Sequence, residues 1–164
     1  MRVLTPKGAC IIENLDRVSI MNIVTRKYLS NLLKDWDRKL VTTEQLQDIA
    51  EQLFMDNDVD YEDWEGEGDE EISISNEVLR SLQMLDMDIL LQKDISAYQK
   101  LLRTPKGKAQ DGLKVLSRYI SSIDMADRKE KYKNTKPYSI YHSEHYQRPQ
   151  DFYTPQSKKS AANG

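Results

Sequence analysis

Apolar residues recur every three or four positions in several stretches of this chain, which is the spacing of one face of an α-helix. Thr42 and Gln45 fit a capping box before the second stretch, and Thr104–Pro105 fits the start of the last one. The pattern predicts an all-α fold, a small bundle of four to five helices. The predicted helices cover residues 22–39, 43–55, 75–91, 94–102 and 105–131.

The helical pattern stops after the second predicted helix, where residues 56–71 contain ten Asp or Glu and no Lys or Arg. So many carboxylates cannot be buried together, because each would lose its hydration without a cation to replace it. We therefore expect a solvated loop, which we call the acidic loop. Val59, Tyr61 or Trp64 would attach it to the helical body.

The acidic loop is the candidate site for a protein partner. Its carboxylates would attract a basic surface and speed the encounter, and its aromatic residues would supply the contact area typical of binding hot spots. The alternative is a loop that only keeps the protein soluble, with Trp64 folded back on the helices. The predicted partner-binding residues are Asp56, Asp58, Asp60, Tyr61, Glu62, Asp63, Trp64, Glu65 and Glu67.

The same loop partly matches the calcium-binding loop of an EF-hand. Asp56, Asp58, Asp60 and Glu67 fall at positions 1, 3, 5 and 12 of that motif. Position 6 normally holds a glycine at a sharp turn, and here it is Tyr61. A calcium-responsive module is therefore an alternative function, and we assign no metal ligand.

No catalytic motif is present: the sequence has no nucleophile elbow, phosphate-binding loop, zinc-protease motif or dinucleotide-binding glycine pattern. Both histidines, His142 and His145, follow the last predicted helix, so the predicted domain lacks the usual general base. Their three-residue spacing alone does not define a metal site. We expect a non-enzymatic protein with no cofactor and no catalytic residue.

The two ends of the chain differ from its centre. Residues 1–21 precede the first helical pattern and predict an N-terminal extension, with Met1 and Met21 as alternative starts; residues 22–131 form the predicted helical domain. Residues 132–164 lose the periodicity and contain five of the nine tyrosines, which predicts an extended or disordered tail. A structural or regulatory adaptor acting through this Tyr-rich tail is the second functional hypothesis.

Charge and cysteine content indicate the expected environment. The formal net charge of −3 does not favour nucleic acid, and the single cysteine, Cys10, is not typical of an oxidising compartment. No stretch of about eighteen apolar residues could cross a membrane. We expect a cytoplasmic protein with a basic protein partner and without a membrane or nucleic-acid partner. The oligomeric state stays open.

Five segments between Tyr28 and Leu102 point to a known class of protein. They read Y-L-S-N-L-L, T-T-E-Q-L-Q-D-I-A-E-Q-L, the acidic D-N-D-V-D-Y-E, V-L-R-S-L-Q-M-L-D and D-I-S-A-Y-Q-K-L-L. In these segments the chain resembles small helical bacterial proteins of the colicin-immunity-like type. The resemblance implies a helical bundle that binds and blocks a toxin, often a basic nuclease, through acidic residues. The Tyr-rich tail and the residues before Met21 depart from that pattern.

Overall fold

The computed structural model describes residues 2–4, 10–14 and 17–142, with side chains from residue 22 onward. These residues form seven α-helices and six short strands, so the chain is mostly helical, as predicted, but not purely α. The strands are β1 (Arg2–Leu4), β2 (Cys10–Asn14), β3 (Arg17–Val24), β4 (Val59–Tyr61), β5 (Trp64–Glu65) and β6 (Ile72–Ser73). The helices are α1 (Arg26–Asp37), α2 (Thr43–Phe54), α3 (Ile74–Gln83), α4 (Ile95–Leu102), α5 (Ala109–Ser121), α6 (Met125–Tyr132) and α7 (Ser139–His142).

Four of the strands form a sheet in the order β1-β2-β3-β4. The first three are antiparallel neighbours, and β3 pairs with β4 in parallel, with Asn22 opposite Val59. The predicted helix over 22–39 therefore starts too early, because its first residues belong to β3. The β-branched residues before Thr25 favour an extended strand. The domain boundary predicted after residue 21 falls inside this strand.

Helix α1 begins after Thr25, whose hydroxyl accepts a hydrogen bond from the Tyr28 backbone N–H at 3.0 Å. Helix α2 begins as predicted, with both bonds of the Thr42–Gln45 capping box present. Trp36 is fully buried between these helices, and its indole N–H donates to the Thr43 hydroxyl at 3.1 Å. The core that α1, α2, α3 and α4 share includes Leu29, Leu33, Trp36, Leu46, Leu53, Val78, Leu79, Leu82, Tyr98 and Leu101.

The third predicted helix is shorter than expected. Helix α3 is capped by Ser73, and it ends at Gln83 instead of continuing to residue 91. Residues 84–91 form a turn region in which Ile89 has a φ of 47°, the left-handed conformation that a right-handed helix cannot contain. Ile89 is nevertheless buried, so apolar spacing continued past the point where the helix stopped.

The predicted helix over 105–131 is divided into α5 and α6. Gly107 has a φ of 84°, which glycine adopts readily, and α5 starts after this turn rather than at Pro105. A second break follows Ser121. Helix α6 then begins after its N-cap Asp124, whose carboxylate accepts from the Asp127 N–H at 3.0 Å.

The chain stays packed beyond residue 132, where the tail was predicted to begin. Tyr138 is buried, and its hydroxyl donates to the Leu90 carbonyl at 2.6 Å. A His142 ring nitrogen lies 2.8 Å from the Met87 carbonyl oxygen. The predicted tail therefore corresponds at most to residues 143–164. These residues, which include His145, lie outside the part of the chain that the structure describes.

A buried ion pair joins α6 to the start of α4. Arg128 donates to the two carboxylate oxygens of Asp94 at 2.6 and 2.7 Å, and their side chains are 6% and 2% exposed. Asp94 also accepts from the Leu91 N–H and from the Tyr119 hydroxyl, and although it precedes α4 directly, it makes no capping bond to that helix. Burial raises the pKa of Asp94, but the bonds from Arg128, Tyr119 and Leu91 outweigh it and lower this pKa below its ordinary value.

Candidate functional site

The acidic loop is folded through most of its length. It contains β4, which pairs with β3, and β5, which pairs antiparallel with β6. Successive side chains of an extended segment point to opposite sides, and residues 59–65 alternate in this way. Val59, Tyr61, Asp63 and Glu65 are partly buried, whereas Asp60, Glu62 and Trp64 are exposed. The loop thus has an inward row and an outward row.

In the inward row, Asp63 attaches the loop to three other segments. Its carboxylate accepts from Arg26 Nε at 2.8 Å, from the Ser73 hydroxyl at 2.5 Å and from the Ser75 backbone N–H at 3.0 Å. Burial raises the pKa of Asp63, but the Ser73, Arg26 and Ser75 hydrogen bonds together outweigh it, so its pKa lies below the ordinary value. Arg26 also donates to the carbonyls of Leu102 and Thr104 at the end of α4.

Glu65, also in the inward row, caps α5 from outside that helix. Its carboxylate accepts from the backbone N–H of Gly107 and, at 3.0 Å, from that of Ala109. The residue at the N-cap position, Lys108, makes no capping bond of its own. A carboxylate is well suited to this place because the first amides of a helix lack partners and carry partial positive charge. Asp63 and Glu65, predicted to bind a partner, are therefore engaged in holding the fold.

In the outward row, Trp64 is held in an ordered position and is 42% exposed. Its indole N–H donates to an Asp60 carboxylate oxygen at 3.0 Å, and its ring meets Tyr61 edge to face, with the centroids 5.9 Å apart. Burial, followed by the nearby Asp60 charge, raises the pKa of the Tyr61 phenol, so it stays neutral. Trp64 is not folded back onto the helices, contrary to the alternative interpretation of the loop.

Exposed carboxylates lie on both sides of Trp64 along the chain and carry most of the loop's negative charge. Glu62 accepts from the Arg26 backbone N–H at 3.1 Å, and Asp56 accepts from the Asp58 N–H at 2.9 Å. Among the described side chains, Asp63 is the one loop carboxylate in an ion pair. The exposed acids are Asp56, Asp58, Asp60, Glu62, Glu67, Asp69, Glu70 and Glu71. We call this surface, with Trp64 and Tyr61, the acidic face.

The backbone of the acidic loop does not follow an EF-hand. Tyr61, at the position of the required glycine, lies in β4 and is paired with Val24 of β3, so the chain is extended there rather than turned. Within the described residues, no group of three or more His, Cys, Asp or Glu side chains is placed to hold a metal ion. The geometry of this segment gives the calcium alternative no support.

A second concave surface, which we call the α4–α5 cleft, lies between those two helices and has a volume of about 590 Å³. Its floor is largely apolar, and its charged side chains, Lys100 and Arg103, lie on α4 and directly after it. The lining residues are Ser96, Ala97, Lys100, Leu101, Arg103, Thr104, Pro105, Gly112, Val115, Leu116 and Tyr119. The sequence offered no prediction for this cleft, because its walls come from separate elements.

Gly112 allows α5 to approach Thr104 at the closed end of the cleft. A Cβ atom at this position would lie 2.4 Å from Thr104 Oγ1 and 2.9 Å from its Cγ2, so rotating the Thr104 side chain would not relieve the contact. A Gly→Ala change inside a helix ordinarily raises the free energy of unfolding of the protein by about 1 kcal/mol. An extra methyl group forced into a packed interior lowers the free energy of unfolding by about 1–3 kcal/mol.

Gly112→Ala should therefore lower the free energy of unfolding by about 1 kcal/mol rather than raise it. Urea unfolding followed by circular dichroism measures the change. Adding Thr104→Ala should restore much of the stability, because it removes the two closest atoms and leaves only the Thr104 Cβ, at 3.1 Å. A Gly112→Ala chain more stable than the original would contradict the close approach.

Comparisons with protein-family models, with curated proteins and with solved structures found no match to this chain. The resemblance to colicin-immunity-like proteins therefore stays a prediction. In the part of the chain that the structure describes, no helix combines the length and apolar character needed to cross a membrane.

Proposed function

We propose that this chain is a non-enzymatic, cytoplasmic protein-binding module that uses the acidic face to bind a basic protein. The observation that carries the proposal is the half-exposed Trp64, held by Asp60 and Tyr61 among exposed carboxylates. An aromatic side chain fixed before binding loses little conformational entropy when a partner covers it. The carboxylates around it would accelerate the encounter with a positive surface.

An immunity-type or antitoxin-type inhibitor is the most specific form of this proposal. The positive surface of a nuclease attracts phosphate, and a folded acidic surface can occupy the same charges. Eight exposed acids of residues 56–71 make no ion pair with the described side chains, so their charge remains available to another protein. We exclude Asp63 and Glu65 from the proposed partner-binding residues, because their carboxylates attach the acidic loop to the rest of the fold.

The proposal predicts that neutral replacements of Asp56, Asp58 and Glu67 weaken association with a basic partner. The triple Asn/Asn/Gln variant should associate about tenfold more slowly at low ionic strength, and the difference should shrink as salt screens the charges. Proteins retained by the immobilised chain at low salt identify the partner. Surface plasmon resonance with that partner then measures the association rate over a series of salt concentrations.

A variant with three neutral replacements elsewhere controls for the change in net charge. Asp37→Asn, Asp48→Asn and Glu51→Gln alter exposed acids on α1 and α2, outside the acidic loop. This control should keep the association rate within about twofold of the original. Equal slowing in both triple variants would show a general charge effect and reject the acidic face. Failure to retain any basic protein at low salt would reject the function.

The Tyr-rich tail remains the second candidate function. Tyr138 is buried against the body and is unavailable to a partner, so an adaptor of this kind would use residues 143–164. A chain ending after His142 separates the two proposals. It should bind the basic partner normally if the acidic face is the site, and it should lose binding if the tail is the site.

A further inference from the structure

The α4–α5 cleft has the size and lining of a small-molecule site. Its volume of about 590 Å³ falls within the range of about 300–1,000 Å³ that such sites occupy. Leu101 and Leu116 form buried parts of the floor, and Val115 is 42% exposed on one wall. An apolar ligand body placed here would remove Val115 and the Tyr119 ring from water.

Two positively charged side chains line this cleft, and neither has a partner in the described part of the chain. Lys100 and Arg103 are exposed, and neither side chain has a hydrogen bond or ion pair to another described residue. They lie three positions apart on consecutive turns, so they stand on the same side of the chain. The exposed Ser96 supplies a hydroxyl at the cleft. None of the described residues that line the cleft carries a carboxylate.

The dimensions of the cleft favour a small ligand over a segment of a protein. The rise of an α-helix places Ser96 about 10 Å from Arg103 along the axis. The connection at Thr104 and Pro105 joins the two helices at one end, and the contact between Thr104 and Gly112 narrows the space there. A chain continuing in both directions would meet this closed end.

From this geometry we infer that the α4–α5 cleft binds a small amphipathic carboxylate. The apolar body of the ligand lies against Leu101, Val115 and Leu116, and its carboxylate faces Lys100 and Arg103. The inference is independent of the proposed function, because the acidic face and the cleft use different residues.

The test compares two probes that share one aromatic framework and differ in charge, 1-naphthaleneacetate and 1-naphthaleneacetamide. Titration of the isotopically labelled full chain, followed by backbone amide shifts in NMR spectra, locates the site and measures each affinity. The carboxylate should bind about tenfold more tightly than the amide, with saturable shifts on α4 and α5, because two partly solvated cations contribute a modest charge preference.

Three variants separate the apolar and ionic parts of the cleft. Lys100→Gln with Arg103→Gln should remove the preference for the carboxylate. Val115→Trp should fill the space and abolish binding of both probes, and it should fold because position 115 is already partly exposed. As the matched control, Lys114→Gln with Arg118→Gln removes two exposed α5 cations that do not line the cleft, and it should leave both affinities unchanged.

Several results would overturn the inference. The two probes could bind equally, or the control pair could weaken binding as much as the Lys100 and Arg103 pair. Saturable shifts could be absent from α4 and α5 at millimolar probe. Shifts at the cleft that depend on protein concentration without any probe would mean that a second copy of the chain occupies it. None of these results bears on capture of a basic protein by the acidic face.

Discussion

Arg128→Met is expected to lower the free energy of unfolding by about 3–5 kcal/mol, because it leaves the buried Asp94 carboxylate without its cation. Removing one partner of a buried pair costs more than the pair contributes, since the remaining charge has already lost its hydration. Urea unfolding at neutral pH measures the loss. For a chain of this size, the loss amounts to a large fraction of the total stability.

A second substitution tests whether the stranded charge is the cause. Asp94→Asn carries no charge; its one oxygen can still accept from the Leu91 N–H, and its amide NH₂ can donate to the Tyr119 hydroxyl oxygen. Adding it to Arg128→Met should recover much of the lost stability. Lys131→Met removes an exposed cation on the same helix and should leave stability unchanged. An Arg128→Met chain with the original urea midpoint would show that α6 is held by something other than this pair.

Asp63→Ala is expected to lower the free energy of unfolding by about 2–4 kcal/mol, because Arg26, Ser73 and the Ser75 N–H all lose their common acceptor. The loss should be concentrated in β4, β5 and β6. Hydrogen exchange should therefore accelerate at the amides of these strands more than at those of α2. Asp58→Ala, which removes an exposed loop carboxylate, is the control and should leave both measurements unchanged.

The same carboxylates predict how stability varies with pH. Asp63 and Asp94 both have pKa values below their ordinary value of about 3.9, so the folded state binds protons less readily than the unfolded state. Their contribution is present above about pH 4 and is lost as pH falls through the folded-state pKa values. Asp63→Asn should flatten this acid-side loss. An unchanged pH profile in that variant would contradict the lowered pKa of Asp63.

The sequence could predict those features whose cause lies within a few neighbouring residues. The Thr42–Gln45 capping box and the position of α4 follow from local side chains and apolar spacing, and both are confirmed. The exposure of most acids in residues 56–71 also follows from charge density alone. These inferences need no knowledge of the rest of the chain.

Features that depend on distant partners could not be predicted in the same way. Glu65 caps a helix that begins 44 residues later, and Arg26 contacts Asp63 across 37 residues. Apolar spacing also predicted helix through Ile89, although the turn there is supported by Arg128 and Tyr138 from α6 and beyond. The cap of α5, the ion pair of Arg26 and the turn at Ile89 each depend on contacts between residues that are far apart in the sequence.

The sequence of the acidic loop nevertheless contains one local signal that predicts which side chains point inward. Val59, Tyr61, Asp63 and Glu65 share a two-residue period, which is the period of a strand with one side against the body. That alternation would have separated the two structural carboxylates from the outward ones. Treating the whole stretch as one solvated loop concealed the difference. Arg26 was missed because nothing in its own neighbourhood marks it as the residue that joins the loop to α4.

The inward and outward rows of the acidic loop also differ in how well they tolerate substitution. Substitutions at Asp60, Glu62 and Trp64 alter what another molecule would encounter, whereas Asp63 and Glu65 beneath them keep the backbone in place. Descendants of this chain could therefore acquire new binding preferences through outward substitutions, at a smaller cost in thermal stability than substitutions at Asp63 or Glu65 would carry. Such a segment would be a practical starting point for engineered libraries.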